Sequence, residues 1–297
     1  MSEQMMERAS ELRQLALDRV RAGEIDQALG FYDQALAAAA VSGDDELREL
    51  ITINKADAMI AVERSGPEVQ ALPAILMRRR NPHHAFLAAY ALMYKHRIAG
   101  EAKRASFYGQ IALDVAVEEE KAFWRLAALN ELGIVYEIDS KFEDAIVCFQ
   151  QAIDLTHLIG DESERRLSYG AALQNIGASK LLNGDLVEGI ELIHKALPSI
   201  VAAASIAEAY IDLCYGYSGI EELDKARYYG EAGLELAAED RQIRNAHYLL
   251  GEVAYKQGDI DRSEVHFDEL AKFYPDFRHL KSLLYAIDLR SMVNFKL

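Results

Sequence analysis

Apolar positions recur along this chain at the spacing of amphipathic helices, and they fall into pairs of helical segments separated by short polar turns. The clearest pair has Leu129, Leu132, Gly133 and Tyr136 in one segment and Ala145, Phe149 and Ala152 in the next. Small residues at Gly133 and Ala145 let two antiparallel helices approach closely, while Tyr136 and Phe149 fill the space on either side. The intervening Asp139 and Ser140 reverse the chain, and Asp144 sits in the first turn of the second helix, where its charge suits the helix dipole.

The same arrangement repeats. Leu15 and Ala16 precede Gly23, with Ala28, Tyr32 and Ala35 after the turn; Ile176 and Gly177 precede Gly184, with Gly189, Ile193 and Ala196 following. Near the end come Leu250, Gly251, Gly258, Ser263, Phe267 and then Pro275. Two further pairs match each other closely, the segment from Ala105 to Ala116 against that from Ala226 to Ala237. In the weakest pair Ala71 and Ile75 stand at the expected places, but Pro73 removes a backbone donor and predicts a kinked or shortened helix, whereas Pro67 suits a helix start.

This spacing of large residue, Leu-Gly and Tyr, then Ala, Phe and Ala, resembles the tetratricopeptide repeat. Taking Ala28, Ala71, Ala105, Ala145, Gly189, Ala226 and Ser263 as equivalent gives steps of 43, 34, 40, 44, 37 and 37 residues, mostly longer than the minimal repeat. In that respect the chain is similar to the extended repeats of kinesin light chains and of peptide-sensing bacterial regulators. The resemblance implies an all-α fold, a right-handed α-α superhelix of about seven helix hairpins. The units are expected at about 7–42, 46–80, 82–118, 120–160, 162–198, 200–238 and 240–275. Residues 276–297, with Leu280, Leu283, Leu284, Ile287, Leu289 and Val293, are expected to form a helix capping the open end of this single solenoid.

Composition agrees with folding throughout: 51% of residues are hydrophobic and only five are proline. The net charge of -16 is unevenly placed, residues 1–100 holding 12 basic against 14 acidic side chains and the remainder 20 against 34. Such a surface repels polyanions, which argues against a nucleic-acid partner. The polar N-terminus and the short apolar runs argue against a signal peptide and a membrane span. Two cysteines without close spacing fit a reducing compartment, so a cytoplasmic protein is expected.

No phosphate-binding glycine loop, nucleophile elbow or His-Glu-x-x-His motif occurs. Neighbouring His83 and His84 diverge on a helix and make a poor chelate. Cys148 and Cys214 lie among apolar residues and are expected to be buried and inert. Arg78, Arg79 and Arg80 close a helix, where cations are favoured; Glu118 to Glu120 and Asp161-Glu162 read as solvated faces or helix starts. No catalytic residue, cofactor or metal ion is therefore expected, and the chain is not expected to be an enzyme.

The resemblance instead implies that the first helix of each hairpin lines a concave groove holding a protein or peptide. Carried over from each Leu-Gly or its equivalent, the groove residues are Arg13; Tyr90, Tyr94 and Arg97; Asn130; Gln174 and Asn175; Asp212 and Tyr215; and Tyr248 and Glu252. Amides grip a peptide backbone with donor and acceptor together, tyrosines offer flat apolar area with a polar tip, and Arg97 suits a carboxylate. Asn175 matches an asparagine of the family members that clamp a peptide C-terminus, but the lysine expected in a neighbouring unit is missing. The expected function is a protein- or peptide-binding scaffold or adaptor. The alternatives are a homo-oligomerisation module, giving a homodimer, and the regulatory sensor subunit of an effector on another chain.

Overall fold

A computed structural model describes residues 2–275 and 279–286. Among them the regular structure is helical, and no strand occurs. The helices are α1 (Ser2–Arg21), α2 (Ile25–Ser42), α3 (Asp45–Ile60), α4 (Pro67–Arg78), α5 (Pro82–Ile98), α6 (Ala102–Glu118), α7 (Ala122–Ile138), α8 (Phe142–Leu155), α9 (Glu162–Leu182), α10 (Leu186–Ala196), α11 (Ala203–Gly219), α12 (Leu223–Leu236), α13 (Asp240–Lys256), α14 (Ile260–Ala271) and α15 (Leu280–Ala286). The chain divides into two compact units, Met1–Leu132 and Gly133–Leu297, with the division inside α7.

Each odd-numbered helix up to α13 is followed by an even one across a short turn, and in five of these hairpins the two helices touch through residues sixteen positions apart in sequence. In three pairs a glycine of the first helix faces a large residue of the second: Gly133 with Phe149, Gly177 with Ile193, and Gly251 with Phe267. A methyl group on Gly133 would lie 2.5 Å from Phe149 Cε1, and one on Gly177 would lie 2.6 Å from Ile193 Cγ1, both inside van der Waals contact. At the same register stand Ala16 and Tyr32, both fully buried in one core cluster. In α5–α6 and α11–α12 the sizes are exchanged, Met93 against Gly109 and Cys214 against Gly230. This exchange accounts for the close mutual likeness of those two sequence segments. The register residues Ala28, Ala105, Ala145, Ala226 and Ser263 are all fully buried, and Gly189 is buried with them; Ala71 is only partly so.

A second regularity fixes the angle of each hairpin. In every one of these seven turns the first helix ends in a six-to-one backbone bond, such as Glu24 N–H to Arg19 C=O at 2.9 Å and Lys141 N–H to Tyr136 C=O at 2.8 Å. The closure needs one residue in the left-handed region, supplied by Gly23, Glu63, Gly100, Ser140, Gly184, Glu221 and Gly258. Apart from Glu63, each lies seven residues after the size-complementary position, and the second helix begins two residues later. In the α3–α4 pair the turn is longer, and the register positions are Met59 and Ile75, buried in one core cluster with neither residue small. Helix α4 persists through Pro73, which is exposed, and spans 12 residues against 18 in α2.

Side-chain caps set the starts of α3, α5 and α9, where Asp44, Asn81 and Asp161 accept from backbone N–H groups. Helix α15 buries Leu280 and Leu284 against the core that contains Tyr248, Phe267 and Leu270. The remaining residues of the expected cap, Ile287, Leu289 and Val293, lie outside the described residues.

Two outcomes check this packing. Gly133→Met overpacks the α7–α8 contact and Phe149→Gly empties it, each costing about 2–5 kcal/mol. The double variant, which reproduces the Met93/Gly109 arrangement, is expected to lose clearly less stability than the two single changes added together, in a double-mutant cycle read by urea denaturation. Ser140→Gly and Glu221→Gly relieve a left-handed backbone at a turn and are each expected to raise stability by about 0.5–1 kcal/mol, visible as a higher denaturation midpoint.

Candidate polar inner face

Within the first unit, polar and aromatic side chains from α1, α3, α5 and α7 meet along one side. On α5 the stripe His83, Phe86, Tyr90, Tyr94 and Arg97 follows the helical period. His83 stacks on Trp124 of α7 at 5.2 Å between ring centres, and Phe86 stacks on the same indole at 4.9 Å. Further along, the Arg97 guanidinium lies 4.8 Å over the Tyr94 ring and 3.0 Å from Glu131 Oε2 of α7, both partners of that ion pair being about four-fifths buried. At the other end Arg13 Nε donates to Asn54 Oδ1 at 2.7 Å, joining α1 to α3.

Electrostatic coupling ties these pairs into one surface. The Tyr90 hydroxyl is held well above its ordinary pKa, first by burial and then by the nearby carboxylates of Glu131 and Asp57. Burial likewise pushes the Tyr32 phenol up to about 12, with Arg13 opposing and Asp57 adding to the shift. Glu131 is raised by burial against the opposing Arg97, and Asp57 is raised by desolvation although its side chain retains exposed area.

Of the residues expected in the groove, the structure thus brings Tyr90, Tyr94 and Arg97 together and places Arg13 at the α1–α3 edge of the same face. Asn130 follows on α7, half-buried, its Oδ1 buried without a hydrogen bond. Sequence reasoning missed Asn54, Asp57 and Glu131. Asp57 and Glu131 each stand two residues before the size-complementary position, the same place as Asn175 and Asp212, so the repeat register carried the signal.

In the second unit, Asn175, Tyr215 and Glu252 are half-buried, whereas Gln174, Asp212 and Tyr248 are buried. Polar bonds again join successive odd-numbered helices. Ser179 of α9 donates to Glu137 of α7 at 2.7 Å, Arg241 of α13 donates to both Glu208 oxygens of α11 at 2.8 and 2.7 Å, and Lys256 of α13 donates to Ser218 Oγ at 3.0 Å. The Arg241–Glu208 pair is bidentate, engaging both carboxylate oxygens.

Groups with reactive potential sit elsewhere. Cys148 and Cys214 are buried free thiols, pushed by desolvation up to about 11 and about 12, which keeps them protonated and unreactive. His84 is buried against Glu49 at 3.0 Å, and Arg78 and Arg79 pair with Glu49 and Glu118. His247 and His266 approach to 3.1 Å between their Nδ1 atoms, but among the described residues no group of three or more metal-ligating side chains assembles. No helix among them is long and apolar enough to cross a membrane.

No family model matches the sequence, and no curated relative matches it. Solved structures match closely in architecture. A tetratricopeptide repeat protein from Parabacteroides merdae is 14% identical, with 94% of this chain and 98% of that one covered at a TM-score of 0.62. The apo form of the quorum sensor NprR from B. thuringiensis is 13% identical over 93% of this chain and 79% of that one, at a TM-score of 0.70. A signal transduction ATPase with numerous domains and a tetratricopeptide repeat sensor, from Pyrococcus horikoshii, is 15% identical over 93% of this chain, at a TM-score of 0.68. The match spans 43% of that longer protein. The similarity establishes a tetratricopeptide-like helical repeat fold.

The close histidine pair predicts a pH response. His266 is depressed to about 4 by burial, then by His247, so the folded state binds fewer protons than the unfolded chain between its ordinary value of 6.5 and about 4. The stability contributed by the neutral pair is present above pH 6.5 and is lost as pH falls towards 4. Urea midpoints at pH 7 and pH 5 are expected to differ less in His266→Gln than in the unaltered protein; equal differences would refute the assignment.

Proposed function

We propose that this chain is a non-catalytic binding module that holds a protein or peptide segment on the inner face of its odd-numbered helices. The observation that carries this reading is the surface formed by Tyr90, Tyr94, Arg97, Glu131, Asp57 and Asn54 in the first unit. Packing alone does not call for this arrangement. The hairpins are already closed by their small–large contacts and turns, whereas the inner face keeps charged groups half-buried, at a desolvation cost, where apolar side chains would be cheaper.

Half-buried tyrosines give a partner flat contact area with little loss of side-chain freedom, and the amide and carboxyl groups supply the hydrogen bonds of an extended backbone. Two of the similar folds, the quorum sensor and the sensor of the signal transduction ATPase, are described as sensors. They support an extension of the same reading, in which occupancy of the groove is relayed to an effector on another chain.

The test is capture of partners from native lysate, followed by affinity measurement with the recovered segment. The combined variant Tyr94→Ala, Arg97→Ala and Asn130→Ala is expected to weaken binding at least about tenfold, while Phe107→Ala, an exposed position on α6, leaves it unchanged. Undiminished binding by the combined variant would exclude the first unit's inner face as the site.

A further inference from the structure

Helix α4 ends early. Counted from the register residues, α2 and α6 continue to Ser42 and Glu118, 14 and 13 residues past Ala28 and Ala105, whereas α4 stops at Arg78, seven past Ala71. Beside this end lies a cavity of about 470 Å³, walled by the first half of α3, by α4 and the turn after it, and by the start of α5. Sites that hold small organic molecules are of this size, about 300–1,000 Å³.

The polar groups of the wall are unequally engaged. Each of its three carboxylates has a partner: Asp45 pairs with Arg48 at 2.7 Å, Glu46 accepts from Asn81 Nδ2, and Glu49 is held at both oxygens, by Arg78 at 2.9 Å and by the buried His84 at 3.0 Å. The arginines have donors to spare. Arg48 and Arg78 each spend one Nη nitrogen on those pairs, and among the described residues no hydrogen bond or ion pair engages Arg80. Three guanidinium groups therefore border one cavity with most of their N–H groups open, although its formal charges balance.

The backbone at this end is strained as well. Arg79 closes α4 in the left-handed region, at φ 43°, where glycine is favoured. Its side chain meets Glu118 of α6 at 3.0 Å, while Arg78 and Arg80 on either side of it both line the cavity. Strain held beside open donors points to a ligand site.

We propose that this cavity binds a small organic oxyanion, a carboxylate or a phosphate ester, whose oxygens take the open N–H groups of Arg80, Arg78 and Arg48. The planar guanidinium fork matches either group with two parallel hydrogen bonds. Glu49 is the positioning residue, since it fixes Arg78 against the wall, and Ala71, Ile75 and Pro82 receive the apolar body of the ligand. The site stands independently of the groove reading above.

The probes are benzoate and phenyl phosphate, which carry the two kinds of oxyanion on one apolar body, with neutral benzamide for comparison, each titrated calorimetrically into the full chain. At least one of the two anions is expected to bind at a single site at least about tenfold more tightly than benzamide, and the tighter one identifies the class. Arg80→Gln is expected to weaken that binding at least about tenfold, whereas Arg79→Gln, which changes the neighbour that does not line the cavity, leaves it unaltered. Thr52→Trp, which fills the cavity from α3, is expected to abolish it.

Equal losses in Arg79→Gln and Arg80→Gln would show diffuse attraction to the basic run and overturn the proposal. So would anions that bind no better than benzamide, or binding that survives both Arg80→Gln and Thr52→Trp. Arg80 is exposed and unbonded, so the urea midpoint of Arg80→Gln is expected to match that of the unaltered protein, which separates lost binding from lost fold.

Discussion

The architecture depends on one steric constraint: in five hairpins the two helices touch where a small residue meets a larger one sixteen positions away, and only α3–α4 departs from that pairing of sizes. Gly133 against Phe149 and Met93 against Gly109 are opposite solutions to the same problem, since what matters is the summed volume and not which helix carries the ring or thioether. The turn then starts the second helix nine residues after that contact, because the six-to-one bond and the left-handed residue leave the chain one direction to take. With the contact and the turn both fixed, the hairpin is a rigid unit, and its odd-numbered helix presents the same side each time.

That constraint frees the opposite surface. Residues on the inner side of α1, α3, α5 and α7 are not needed to close the hairpins, so this side can hold groups that packing alone would reject: an Arg97–Glu131 ion pair about four-fifths buried, beside the half-buried rings of Tyr90 and Tyr94. In the second unit Glu208 of α11 is bound by both Arg241 and Gln242 of α13.

Much of this was legible in the sequence because the packing constraint is local. Sixteen residues span a single turn, so Leu132-Gly133 and Phe149 declare their contact without knowledge of anything distant. Tyr90, Tyr94 and Arg97 were found for the same reason, by counting along one helix from the register position. What escaped detection depends on the meeting of different hairpins. Glu131 as the partner of Arg97 lies 34 residues away, and Asn54 as the acceptor for Arg13 lies 41 away, each on the next odd-numbered helix, so neither contact is set within one hairpin. Asp57 was hidden because its hairpin has the most degenerate motif, with Met59 and Ile75 at the register positions, a left-handed Glu63 and Pro73 inside α4. Depth was also illegible: Gln174, Asp212 and Tyr248 occupy inner-side positions by count, yet they are buried.

The central claim is that partners are held on the inner side of the odd-numbered helices of the first unit. Hydroxyl-radical footprinting of the protein alone and of its purified native complex reads this directly, since it reports the solvent contact of individual side chains. Protection of His83, Tyr90 and Tyr94 on α5, with Phe107 on α6 unchanged, is the predicted result. Protection of Phe107 with Tyr90 and Tyr94 as reactive as before would contradict the account.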